Sequence, residues 1–170
     1  MFDIDKSKAI NSMLFVLNQL GAEKSDAHKV FKILYFADQK HLVTYGRPIT
    51  GDTYLKMTYG PVPSFIRDVS EGNEKEGLIN KINKHFLTTS YPYDKDDLSE
   101  SEIECLQEAI AENKDLSFKD LTEKSHDSAW QKAQWHISYM AMAKAVTNDP
   151  DILNYIKVNA LNNSLHLFIS

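Results

Sequence analysis

The sequence predicts an α+β fold, a mostly α-helical single domain with a small antiparallel β-sheet inserted between helices. Three observations predict it. Apolar residues recur at three- and four-residue steps over residues 7–20 and 25–45. The period then falls to two over residues 53–59. Beyond residue 98, helix-start signals return at Ser99, Ser117, Asp127, Ser138 and Asp149-Pro150.

The first helix carries Ile10, Met13, Leu14, Leu17 and Leu20 on one face, and Gly21 ends it. Ser25 is the expected N-cap of the second helix, which Gly46 stops after Tyr45. Val30, Ile33, Leu34 and Ala37 form an apolar face there, and Phe31, Tyr35 and Leu42 extend it around the cylinder. Such a helix is expected at the centre of the fold. Along one flank Lys32, Tyr35, Asp38 and His41 recur at three-residue steps and point toward one region of neighbouring structure.

In the strand, Thr53, Leu55, Met57 and Tyr59 alternate with Tyr54, Lys56 and Thr58. The run Gly60-Pro61-Val62-Pro63 is expected to end it, with a third helix opening at Pro63 and closing at Gly72. Residues 78–93 read as two β-rich halves that pair around Asn83-Lys84. A strand over 85–91 is expected to pair with 53–59, and residues 94–102 to form a solvated connection. Two capping boxes compete for the next helix, Ser99 with Glu102 and Ser101 with Glu104. Ser117 with Asp120 opens a short helix around Leu121. Another starts at Ser125 or Asp127 and holds Trp130, and Ser138 caps a further turn. The last helix bears Ile152, Leu153, Ile156 and Val158, and the tail LHLFIS fits a helix or a terminal strand.

Composition narrows the function classes. The chain has 170 residues and a net charge of −5, and its basic residues are scattered lysines plus Arg47 and Arg67. With no basic stripe, the expectation is no nucleic-acid partner. No secretory leader and no long apolar run occurs, so the expected site is the cytoplasm, away from membranes. Cys105 lies in a helical run and reads as a buried core thiol.

No metal-ligand spacing links the six histidines, and no phosphate-binding or nucleophile motif occurs. Gly46, Gly51 and Gly60 are too far apart for a phosphate nest; a helix stop, a turn and a strand end explain them. No catalytic, metal or cofactor site is therefore expected. Asp38 is the carboxylate of most interest, because its helix is buried and a buried carboxylate needs partners. Thr50, the Gly51 amide or Lys32 are its candidates, and the bond is expected to latch the helix to the following turn. Ile49, Leu55 and Met57 are expected to pin that corner to the core. Tyr54 and Tyr59 should face opposite sides of the sheet, leaving one for an interface, and Trp130 and Trp135 divide in the same way.

The same residues carry a resemblance. Lys32, Ile33, Tyr35 and Asp38, then Gly46, Ile49, Thr50 and Gly51, then Tyr54, Gly60, Pro61 and Val62 resemble the signature of the Panacea domain, also called the SocA-like antitoxin domain, of bacterial and phage proteins. The run LTEKSHDSAWQKA, with His126 and Trp130, looks like the family's second block. The resemblance spans about residues 5–157. It implies an antitoxin that neutralises a cognate toxin, encoded by an adjacent gene, through direct protein–protein binding. It implies no enzymatic activity and no cofactor, and at this length no added DNA-binding domain is expected. These motif positions and Tyr59 are candidate scaffold or toxin-interface residues. Two other readings stay open: an adaptor delivering a toxin to a cytoplasmic protease through the tail at 165–169, and an enzyme using Asp38 with His126 as acid and base.

Overall fold

A computed structural model describes residues 2–21, 24–73 and 77–166. Helix α1 (Lys6–Leu20) starts at Asp5, whose carboxylate accepts the Lys8 amide, and ends at Gly21 in the left-handed conformation. Ser25 does not cap the next helix. With Asp26 it forms a short strand, β1 (Ser25–Asp26), and the Asp26 carboxylate takes the His28 amide at 2.9 Å. Pairing of Ser25 with Leu87 commits it to the sheet, which shifts the cap by one residue.

Helix α2 (Ala27–Tyr45) is the axis of the fold, as its all-round apolar surface predicts. It packs against α1, α4 (Glu100–Asn113), α5 (Phe118–Ser125), α7 (Tyr139–Lys144) and α8 (Pro150–His166). Val30, Ile33, Leu34 and Leu42 are fully buried along it, together with Met13 and Phe15 of α1, Leu106 of α4 and Leu121 of α5. Gly46 ends α2 at φ 76° because α8 crosses there; a Cβ would collide with the Tyr155 ring and the Asn159 amide.

Two small antiparallel sheets lie beside the helices. In the first, β2 (Tyr54–Met57) is central between β3 (Gly60–Pro63) and β6 (His136–Ile137). Residues 60–63 therefore do not end a strand but return as its partner. The register explains how two prolines are tolerated. Ser64 donates to the Thr53 carbonyl, so by alternation Leu55 with Val62 and Met57 with Gly60 are the hydrogen-bonded pairs. Pro61 and Pro63 fall between them, where an N–H would point away from β2.

The inward face of β2 is also the reverse of the expected one. Tyr54 is buried, Leu55 only partly, and Met57 is exposed, so Met57 does not pin the corner to the core. The β-rich stretch 78–93 forms its own hairpin, β4 (Asn80–Ile82) and β5 (Phe86–Thr88), turning at Asn83 and Lys84 with φ 51° and 65°. Its expected pairing with 53–59 does not occur. Both edges of β2 are occupied by β3 and β6, and β5 pairs with β1 instead.

Residues 94–102 are more than a solvated connection. A 3-10 turn (Lys95–Asp97) leads to buried Leu98, and the Ser99–Glu102 capping box opens α4. Glu102 is fully buried, held at 2.7 Å by both Lys8 and Arg47. Ser117, Asp127 and Ser138 cap α5, α6 (Ser128–Lys132) and α7 as expected. Helix α8 continues to His166; the rest of the apolar tail lies outside the described residues.

Candidate functional site

The motif residues gather into linked polar clusters under one corner of the fold. In the first, Asp38 is fully buried and accepts four hydrogen bonds. Oδ1 takes the Ile49 and Thr50 amides at 2.7 and 2.9 Å; Oδ2 takes the Thr50 hydroxyl at 2.5 Å and the Tyr54 hydroxyl at 2.9 Å. Burial pushes its carboxyl up to about 6 against the opposing pull of the Thr50, Tyr54 and Ile49 donors. Of the three partners the sequence offers, Thr50 reaches Asp38, whereas the Gly51 amide and Lys32 do not. Gly51, at φ 67°, instead lies against the Asp3 backbone.

Continuing along the chain, the Thr50 hydroxyl accepts the Asp52 amide, and the Asp52 carboxylate takes the Phe65 and Ile66 amides. Asp52 thereby supplies the side-chain cap that Pro63 cannot give to α3 (Ser64–Ser70). One run of side chains thus fixes α2, the 46–53 turn and α3 together.

Lys32 serves a second junction. Its Nζ, buried, donates to the Pro61 carbonyl at 2.8 Å. Gly60, at φ 103°, is required here, since a Cβ would strike Lys32 and the Ser125 hydroxyl. Burial pushes the amine down to about 7, with Asp26 opposing. Val62, partly buried, pairs with Leu55 beside this junction.

The third cluster joins the two sequence blocks. The Tyr35 hydroxyl donates to Asp127 Oδ2 at 2.8 Å, and the Gln39 amide bridges the same oxygen and the Met142 carbonyl. Asp127 Oδ1 takes the Ala129 and Trp130 amides. Burial, then Asp127, raises the Tyr35 phenol well above its ordinary value, so it is a donor at all physiological pH. Asp127 and Gln39 carry this junction although only Asp127 is signalled, as a helix start.

Above these clusters lies an aromatic surface at the β2–β3 hairpin. Tyr59 is 59% exposed and packs edge-on against Phe118, itself 47% exposed and stacked on His28 at 4.0 Å. His28 Nε2 donates to the Tyr59 carbonyl at 3.2 Å. Burial and then Lys32 push His28 down to about 4, so it is neutral there. Beside it His126 stacks on Trp130 at 3.6 Å, Lys56 lies over the Trp130 ring, and the indole N–H donates to the Met57 carbonyl. Tyr54 is buried and Tyr59, in the turn after β2, is exposed; Trp135 is 78% exposed but Trp130 is only partly buried, so the tryptophans do not divide into core and surface. No pattern in the sequence signals Phe118.

Asp38 and His126 share no hydrogen-bond partner, and every donor at Asp38 comes from the corner it ties. Cys105 is buried and its thiol is pushed up to about 11 by burial, which leaves it inert. Among the described residues no group of His, Cys, Asp and Glu could hold a metal ion, and no helix is long and apolar enough to cross a membrane.

The chain is thus an α+β, mostly helical scaffold whose motif side chains tie one corner together beneath an aromatic surface. The family described as antitoxin SocA-like, Panacea domain, matches residues 30–131, more than half of the chain, from within α2 to within α6. The chain belongs to this family. No curated protein and no solved structure matches it.

Proposed function

We propose that this chain is the antitoxin of a two-gene toxin–antitoxin pair and neutralises its toxin by binding it directly. Family membership carries the reading. The geometry supports it through the hairpin surface. Tyr59, Phe118 and Trp130 are held by stacking and by backbone bonds, so they lose little side-chain entropy on docking. The polar motif residues act beneath them as scaffold, with Lys32, Tyr35 and Asp38 each engaged inside the fold. We read residues 1–170 as one domain, since α8, beyond the matched stretch, packs on α2 and α7, and take the cytoplasm as its proposed place of action.

Co-expression with the product of the adjacent gene tests this. The expected result is growth rescue and co-purification, both reduced by Tyr59→Ala. Failure of the unsubstituted chain to rescue and to co-purify overturns the proposal. The enzyme reading finds little support at Asp38, whose oxygens are all occupied by structural donors.

A further inference from the structure

Among the described residues no strand pairs with the outer edge of β6, and its register shows which groups it offers. Lys56 donates its amide to the Trp135 carbonyl, so residues 135 and 137 face β2. By alternation the His136 N–H and C=O, and the Ser138 N–H, point away from the sheet. Among the described residues these groups meet no hydrogen-bond partner. His136 and Ser138 line a cleft on each side of this edge. One, of about 550 Å³, has an apolar wall of Phe2, Ile137, Met140, Ile156 and Ala160. The other, of about 430 Å³, is walled by Ala129, Lys132 and Trp135.

Charge around the edge differs from that of the whole chain. Between Asp127 and Asp149 there is no carboxylate, while Lys132, Lys144 and His136 fall within the same stretch. Lys132 is exposed and makes no ion pair among the described residues. A chain of net charge −5 thus has a basic stretch of sequence at an open strand edge, beside an apolar cleft whose one carboxylate, Asp52, is buried and held by the Phe65 and Ile66 amides.

We propose that β6 is a docking strand, to which a partner protein adds an extended segment bearing an apolar residue and a neighbouring carboxylate. The partner's backbone would satisfy the outward groups of His136 and Ser138, as in strand addition to other sheet edges. Its apolar side chain would enter the cleft beside Phe2 and Met140, and its carboxylate would meet Lys132. The added strand extends the β3–β2–β6 sheet next to exposed Trp135. If the partner is a toxin, the proposal rests on the antitoxin reading for that identity alone; the recognition chemistry is separate.

Two probes keep the readings apart. A displayed library of random ten-residue peptides, selected on the full chain, tests the edge without any toxin. Enriched peptides are expected to alternate apolar and polar residues and to contain Asp or Glu. His136→Pro removes an outward N–H without touching the β2 ladder, and should weaken their binding about tenfold, the worth of one good hydrogen bond. Lys132→Glu, on an exposed side chain, should weaken acidic peptides and favour basic ones. Absence of enrichment, or peptides that bind both variants as well as the unsubstituted chain, overturns the proposal. The second probe is hydrogen exchange on the complex with the adjacent gene's product. Slowed exchange at the His136 and Ser138 amides supports strand addition by that protein. A stable complex with unchanged exchange there refutes it while leaving the antitoxin reading standing.

Discussion

Thr50 meets Asp38 twice. Its amide donates to Oδ1 at 2.9 Å and its hydroxyl to Oδ2 at 2.5 Å, twelve residues along the chain from a carboxylate with no exposed surface. This pair of hydrogen bonds closes the 46–53 turn onto α2. It also positions Tyr54, the third residue at the carboxylate and the first of β2.

Asp38→Ala should therefore be among the most damaging single substitutions. It leaves the Ile49 and Thr50 amides and the Tyr54 hydroxyl without an acceptor, and the expected loss is about 3–5 kcal/mol. Tyr54→Phe removes a single donor and should cost about 1–2 kcal/mol. Urea denaturation of the two variants measures both. A loss below that of Tyr54→Phe in the alanine variant would contradict the latch.

Gly46→Ala places a Cβ at a positive φ and against the Tyr155 ring. The expected cost is about 1–3 kcal/mol from backbone strain, plus the displacement of α8. Adding Tyr155→Ala should return part of the loss by relieving the collision. Thermal melts of the single and double variants check this through their non-additivity.

Lys32 predicts a pH dependence with a definite sign. Its amine titrates at about 7 in the folded protein against 10.5 when free, so the unfolded chain holds more protons between those values. Stability contributed by this group must then rise as pH increases from about 7 to about 10.5. In Lys32→Met that component should vanish. Paired denaturation curves across this window give the difference directly, and parallel profiles for the two proteins would refute it.

Glu102 acts in the acid range. Burial alone would raise its carboxyl, but bonds from Lys8, the Ser99 amide and Arg47 override burial and hold it at about 2, below the ordinary 4.5. Its contribution is present above about 4.5 and lost as pH falls toward 2, because the unfolded chain then binds the extra proton. Glu102→Gln should flatten acid unfolding over that interval.

Phe118→Ala and Tyr59→Ala touch exposed rings, so stability should change by less than about 1 kcal/mol. On the proposed antitoxin reading, affinity for the toxin should fall by about 2 kcal/mol or more, as for aromatic anchors at an interface centre. Titration calorimetry with the purified toxin separates the two quantities.

Most helix ends were legible in the sequence because their causes are local, although Asp26 replaces Ser25 as the cap of α2 and Asp52 caps α3 from a distance. Gly21 and Gly46 end α1 and α2, and the Ser99–Glu102 and Ser117–Asp120 boxes act within one turn. The Asp38–Thr50 latch was legible as well, since burial of α2 follows from its own apolar residues. Strand partners were not, because a period of two fixes a face only relative to neighbours. Tyr54 points inward, not Met57, since the Asp38 carboxylate needs its hydroxyl and no local pattern encodes that demand.

By itself, then, the sequence determined the central helix, most of the local caps and the corner that the family signature marks. Each of these depends on residues a few turns apart. Only the tertiary structure decided that β6 would join β2, that Asp127 would receive Tyr35, and that Phe118 would stand beside Tyr59. Those contacts span scores of residues, and their geometry exists only once α2 has gathered its neighbours and closed the loops between them.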